Sequence, residues 1–164
     1  KYQAEQILLQ RENTVALRFA TIFGVSPRMR VDLLVNDFTY KAVNDRCIVL
    51  YDSQSKRTFL HIKDAINAYI LTLNNLDDMC GKIFNVGDNS LNYSKGDIAK
   101  HIQKFTGCKI IDSDMDDFDV RNFIISFEKI RRFGYSAQFT LDDGISELVK
   151  LFKFYKPFAT YKTI

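Results

Sequence analysis

His61 and Asp64 stand close enough in this sequence to invite a metal-ligand or catalytic-triad reading. Either chemistry needs more than the pair. A triad of the hydrolase type needs a serine on a sharp strand-to-helix turn, and no Gly-x-Ser-x-Gly run is present. His61 falls in an extended segment and Asp64 opens a helical one, so helix capping and core hydrogen bonding are their expected roles. His101, the other histidine, has no partner near it in sequence. The acid-rich run Asp112–Asp119 lacks the glycine and closing glutamate of an EF-hand loop and reads as solvated. Cys47, Cys80 and Cys108 lack metal-ligand spacing, and their odd number argues against a disulfide framework. No metal site is expected. Asn85 ends an apolar run beside Gly87, where its amide can either reach a phosphate or a base, or cap its own loop.

The composition bounds the function classes. The 164 residues predict about one domain with a real core. Hydrophobic residues make up 46% and charged residues 26%, so disorder is not the expectation. The net charge of +3 is spread along the chain, with short clusters at Arg28/Arg30 and Lys129/Arg131/Arg132. A nucleic-acid binder concentrates its charge on one face, so no nucleic-acid partner is expected. A modest positive bias suits an anionic small molecule. No apolar run reaches the ~18 residues of a membrane span, and no membrane partner is expected. Free thiols fit a reducing compartment, and the expected location is cytoplasmic.

The elements that must position any site follow from periodicity. Tyr2–Arg11 reads as a helix with Ala4, Ile7 and Leu8 on one face and no capping residue before it. An uncapped start leads to the expectation of a chain cut inside a larger protein. Thr14–Phe19 reads as a buried strand and Ala20–Arg30, with Gly24 and Pro27, as a loop. Val31–Val43 reads as a helix with Leu34, Val35, Phe38 and Ala42 inward. Cys47–Tyr51 and Thr58–Ile62 read as strands, and Lys63–Leu76 as a helix carrying Ala65, Ile66, Tyr69, Ile70 and Leu73. Lys82–Val86 is a strand. Ser94 with Asp97 forms a capping box for a helix that Gly107 ends. Lys109–Asp112 is a short strand, Ile130–Phe133 a short helix, and Thr140 caps a final helix, Leu141–Phe154. Alternating strands and helices predict an α/β layered architecture.

Six segments then fall in a telling order. They are Lys1-Tyr2-Gln3-Ala4-Glu5-Gln6, Leu17-Arg18-Phe19-Ala20-Thr21-Ile22-Phe23-Gly24, and Arg57-Thr58-Phe59-Leu60-His61-Ile62-Lys63-Asp64-Ala65. Phe84-Asn85-Val86-Gly87 follows, then Asp119-Val120-Arg121-Asn122-Phe123 leading to Lys129-Ile130 and Phe133-Gly134-Tyr135, and finally Leu141–Leu148. In this order and spacing the chain resembles the C-terminal part of an extended short-chain dehydrogenase/reductase of the NAD-dependent nucleotide-sugar epimerase/dehydratase family. Two features of that family, its Gly-x-x-Gly-x-x-Gly dinucleotide fingerprint and its catalytic Tyr, are not in this sequence. Both belong N-terminal to the position that Lys1 matches.

The resemblance implies roles. Lys1 resembles the lysine of the family's Tyr-x-x-x-Lys pair, with its tyrosine four residues upstream of the sequence. Such a lysine binds the nicotinamide ribose and, as a neighbouring cation on the same helical face, lowers the tyrosine pKa from ~10. Phe19, Ala20 and Ile22 would line the nicotinamide side of the pocket. Arg57 and Arg121 would clamp a diphosphate, for which arginine's planar fork is suited. Thr21, Asp32, Leu33 and Asn85 would complete the substrate site, with Thr21 at a position that is Asn in some epimerases.

The expected fold is the C-terminal part of a Rossmann-type parallel sheet plus a smaller α/β substrate-binding lobe, the two interleaved over residues 1–164 with the N-terminal NAD-binding half absent. The expected function is that of an NAD- or NADP-dependent epimerase/dehydratase acting on a nucleotide-diphosphate sugar. Most of the cofactor would be held by the absent half, the parent protein would be a homodimer, and the fragment alone would be inactive. Two alternatives stand beside it: a non-catalytic nucleotide-sugar-binding module, and a reductase of the same fold on a keto substrate.

Overall fold

A computed structural model of the chain describes residues 1–113 and 125–155. In chain order the elements are α1 (Tyr2–Leu8), β1 (Ala16–Phe19), β2 (Thr21–Phe23), α2 (Leu34–Asn44), β3 (Cys47–Leu50), β4 (Lys56–His61), α3 (Ile62–Asn74), α4 (Leu76–Met79), β5 (Ile83–Val86), β6 (Asn92–Ser94), α5 (Lys95–Thr106), β7 (Lys109–Asp112), α6 (Glu128–Arg131) and α7 (Leu141–Phe152). The architecture is mixed α/β with parallel strand pairs: β1 with β5, β2 with β4, and β3 with β7. Only β4 with β6 is antiparallel among the described residues.

Strand alternation divides the interior in two. On β4, Phe59 enters a core built from α2, β3, α5 and α7, and its neighbour Leu60 enters a second core with Ala65, Ala68, Met79, Phe84, Val86 and Ile130. The segment after β1 divides in the same way: Phe23 faces the first core, Ala20 and Ile22 the second. The chain that links the two cores therefore runs through residues 20–23.

Several elements match their sequence signals in detail. Ser94 and Thr140 both form complete capping boxes, with Asp97 and Asp143 respectively, and Gly107 ends α5 in the left-handed conformation at φ 64°. Ile145, Leu148, Val149 and Phe152 of α7 are all buried, as are Val35, Phe38 and Ala42 of α2.

Others differ. Thr21–Phe23 was expected within a loop and is a strand; its backbone groups are satisfied by β4, a partner distant in sequence. Asn92–Ser94 is an extended strand preceding the Ser94 cap and pairs with Lys56–Thr58. The N-terminal helix stops at Leu8, and none of its residues is buried. On α3 the inward residues are Asp64, Ala65, Ala68 and Thr72, whereas Ile66, Tyr69, Ile70 and Leu73 face outward and are each at least half exposed. No described helix is long and apolar enough to cross a membrane.

Candidate functional site

The site forms where the chain changes sheets. Ala20 N–H still donates to Val86, continuing the β1–β5 ladder, and from Thr21 onward the chain pairs with β4 instead. Partner exchange at this point opens a crevice at the strand ends, the usual location of ligand sites in parallel α/β sheets. Gly24 then turns the chain away at φ 114°. A side chain there would be strained and would put Cβ 2.8 Å from His61 Nε2, so glycine lets the turn press against β4.

Asn36, buried on α2, holds that turn. Its Oδ1 accepts the Gly24 N–H at 3.1 Å, and its Nδ2 donates to the Arg30 carbonyl at 2.9 Å. One side chain thus spans both ends of the Gly24–Arg30 loop. The result is a cavity of about 430 Å³ lined by Lys1, Ala20, Thr21, Ile22, Phe23, Gly24, Ser26, Arg28, Met29, Arg30, Leu33, Asn36 and Ile62.

Its walls are apolar at the strand end and cationic at the rim. Arg30 is neutralised by a bidentate pair with Asp32, at 2.6 and 3.1 Å. Lys1 and Arg28 form no ion pair among the described residues. Two uncompensated cations on one cavity favour an anionic occupant.

The sequence-predicted residues divide accordingly. Lys1, Ala20, Thr21, Ile22 and Leu33 line this cavity. Phe19 does not; its ring packs on Tyr69 of α3 with centroids 5.2 Å apart. Asp32 is engaged by Arg30. Arg57 lies on β4 opposite Tyr93, half-buried and outside the cavity lining. Asn85 lies opposite Arg18 on β5 and donates to the Ser126 carbonyl at 3.2 Å. Arg121 falls outside the described residues. Sequence reading passed over Gly24, Arg28 and Asn36. The Arg28/Arg30 cluster was a visible signal; Asn36, one polar residue in an amphipathic helix, gave none.

His61 and Asp64 take structural roles. His61 is fully buried, and its Nδ1 accepts the Lys63 N–H at the start of α3. Its Nε2 points toward Glu147 Oε2 at 3.4 Å, and burial holds its pKa below the usual histidine range. Asp64 accepts the Gln138 and Phe139 N–H groups at 2.9 and 3.0 Å, fixing the approach to α7. His101, without a partner near in sequence, pairs through Nδ1 with Asp142 of α7. Among the described residues no cluster of His, Cys, Asp and Glu could hold a metal ion.

The sequence profile of the NAD dependent epimerase/dehydratase family matches residues 1–87. Among solved structures, the UDP-glucuronic acid 4-epimerase of Bacillus cereus is 22% identical at a TM-score of 0.75, over 86% of this chain and 45% of that one. The UDP-glucose 4-epimerase of Thermotoga maritima is 20% identical at 0.76, over 93% of this chain and 52% of that one. The dTDP-glucose 4,6-dehydratase of Bacillus anthracis is 22% identical at 0.77, over 93% and 50%. The chain therefore spans about half the length of these proteins, and at this identity the likeness is one of fold.

Proposed function

Since this chain belongs to the NAD dependent epimerase/dehydratase family, we propose that it is the substrate-lobe half of an NAD-dependent epimerase or dehydratase acting on a nucleotide-diphosphate sugar. The observation that carries this reading is the pair of uncompensated cations, Lys1 and Arg28, on one cavity with the Ala20–Ile22 strand end. The solved relatives named above are enzymes of UDP- and dTDP-sugars, in keeping with such an occupant.

The residues present fit a nicotinamide cofactor at the strand end of the cavity. Ala20 and Ile22 offer an apolar wall for a flat ring, and Lys1 offers an ammonium for ribose hydroxyls. NAD bound there would supply hydride transfer, which no side chain can. The chain's own residues bind and orient: Lys1 at the cofactor, Thr21 and Leu33 at the sugar side, and Arg28 at the phosphates, with Arg57 and Arg121 proposed as further phosphate contacts from the family motifs alone. Lys1 would also stabilise an adjacent phenolate, bringing a tyrosine into service as acid and base near neutral pH.

The outward apolar residues of α1 and α3 and the edge of β1 opposite β5 support a further part of the reading. In it, residues 1–164 interleave the end of a Rossmann domain with a substrate lobe, and a cofactor-binding half supplied by the parent protein covers these surfaces. The three cysteines are free, in keeping with a cytoplasmic parent.

Isothermal titration of the chain with UDP-glucose and with NAD+ tests the reading. Saturable binding of at least one is expected, weakened about tenfold or more by Arg28→Ala or Lys1→Ala, as losing one charge-assisted contact requires. No binding of either by the chain, joined to a parent that also ignores both, would remove the proposal. Turnover of UDP-glucose by residues 1–164 alone would contradict the need for a second half.

A further inference from the structure

Lys1, on the cavity wall, is exposed, and the helix after it packs lightly on the body. The helix that follows Lys1, α1, buries none of its residues, and Tyr2 and Ile7 are 69% and 64% exposed. A bidentate contact ties it to the body. Arg18 of β1 donates from Nε to Glu5 Oε2 at 2.8 Å and from Nη2 to Glu5 Oε1 at 2.6 Å. Two parallel bonds between a planar guanidinium and a planar carboxylate fix orientation as well as distance, which a single contact does not.

The position of Glu5 gives this pair its consequence. Glu5 lies one helical turn after Lys1, and its N–H donates to the Lys1 carbonyl at 3.0 Å. Lys1 is the N-cap of this helix, so its backbone is held to the first turn while the residue itself lies just outside it. Locking the Glu5 carboxylate against β1 therefore also fixes where the Lys1 backbone stands at the cavity. Arg18 stands two residues before Ala20 on the strand that runs into the cavity, so the clamp and the cavity wall share one rigid element. Arg18 beside Glu5 holds its carboxyl below the usual glutamate range, so the pair persists as pH falls.

We propose that Arg18 and Glu5 are positioning residues for Lys1, a bidentate clamp that fixes the rotation of the first helix and holds Lys1 at the cavity. The functional consequence rests on the reading of that cavity given above; the geometric claim does not. Neither residue touches the ligand. Both act through Lys1, and their loss is expected to impair binding only where Lys1 contributes to it.

A spin label read by NMR tests the clamp without any ligand. The label is attached at Lys1→Cys in the full chain, with Cys47, Cys80 and Cys108 replaced by alanine. Paramagnetic broadening is expected at the amides of Thr21, Ile22 and Gly24. Glu5→Ala should abolish most of it and leave the melting temperature nearly unchanged, because no apolar residue of the helix is buried. Arg18→Met should do the same from the strand side. The exchange Glu5→Arg with Arg18→Glu should restore it, an outcome that a general stability role would not give. Unchanged broadening in Glu5→Ala, absence of broadening in the labelled parent chain, or failure of the exchange to restore it would each overturn the clamp. NAD+ titration of the unlabelled protein separates the two layers. If Lys1→Ala weakens binding, Arg18→Met should add nothing further in the double variant. If Lys1→Ala binds as well as the parent chain, the cavity reading fails while the broadening result still decides the clamp.

Discussion

Asn36 Oδ1 accepts the Gly24 N–H at 3.1 Å in a buried setting, so a helix side chain closes a loop twelve residues before it. Removing it leaves the Gly24 N–H and the Arg30 carbonyl without this partner. Asn36→Ala should therefore cost about 1–3 kcal/mol of unfolding free energy, the penalty for a buried unsatisfied donor. Urea denaturation measures it. The same variant should loosen the Gly24–Arg30 wall and weaken ligand binding at the cavity. A stability loss near zero would mean that water replaces the amide.

Gly144 of α7 packs closely against Phe23 of β2 and His61 of β4. A Cβ there would sit 2.4 Å from Phe23 Cε2 and 2.8 Å from His61 Cδ2, both in buried rings. Both rings are almost fully buried, so Gly144→Ala should destabilise by about 1–3 kcal/mol through overpacking, although alanine is the better helix former. Thermal unfolding monitored by circular dichroism checks the sign; stabilisation would show that the rings shift freely.

His61 gives the fold a pH dependence of definite sign. Burial lowers its pKa in the folded chain, and Glu147 only partly opposes this. Above about pH 6.5 the imidazole is neutral in both folded and unfolded states. As pH falls below that value the unfolded chain takes up a proton that the folded chain resists, and stability declines until the lowered folded pKa is reached. Asp97 and Asp143, held down by their capping bonds to Ser94 and Thr140, contribute stability that is lost only in a lower window, below about pH 4. Urea midpoints should thus fall between about pH 7 and about pH 5, and His61→Gln should flatten that slope. A flat profile in the parent chain would contradict the assignment.

Arg57 and Arg121 test the phosphate part of the reading. Alanine at either should weaken UDP-glucose binding by about tenfold or more if each holds a phosphate oxygen. Calorimetry with UDP-glucose and with glucose separates the phosphate contribution from the sugar's. No effect from either variant would favour the same fold acting as a reductase on a substrate without phosphates.

Local physics made much of this chain legible in advance. The capping boxes at Ser94 and Thr140, the αL glycine at Gly107 and the buried stripes of α2 and α7 rest on spacings of three and four residues, which a sequence displays directly. The ordered motifs gave the family, and five of the ten candidate site residues line one cavity. Sequence did not give the strand at Thr21–Phe23, because three residues become a strand only when β4 is there to pair with them. Nor did it give the outward face of α3: apolar residues at helical spacing show that a face exists, not which side the rest of the chain will cover.

The ion pairs and side-chain hydrogen bonds divide along the same line. Lys41 with Asp37, one turn apart on α2, could be read from spacing. Arg18 with Glu5, Asn36 with Gly24 and Arg30, and Asp64 with Gln138 and Phe139 could not. The sequence by itself determined the long helices, the caps, the family and the chemical types available. Tertiary structure alone decided which cations share a cavity and which are neutralised, because charge compensation depends on distances between segments that no local rule fixes.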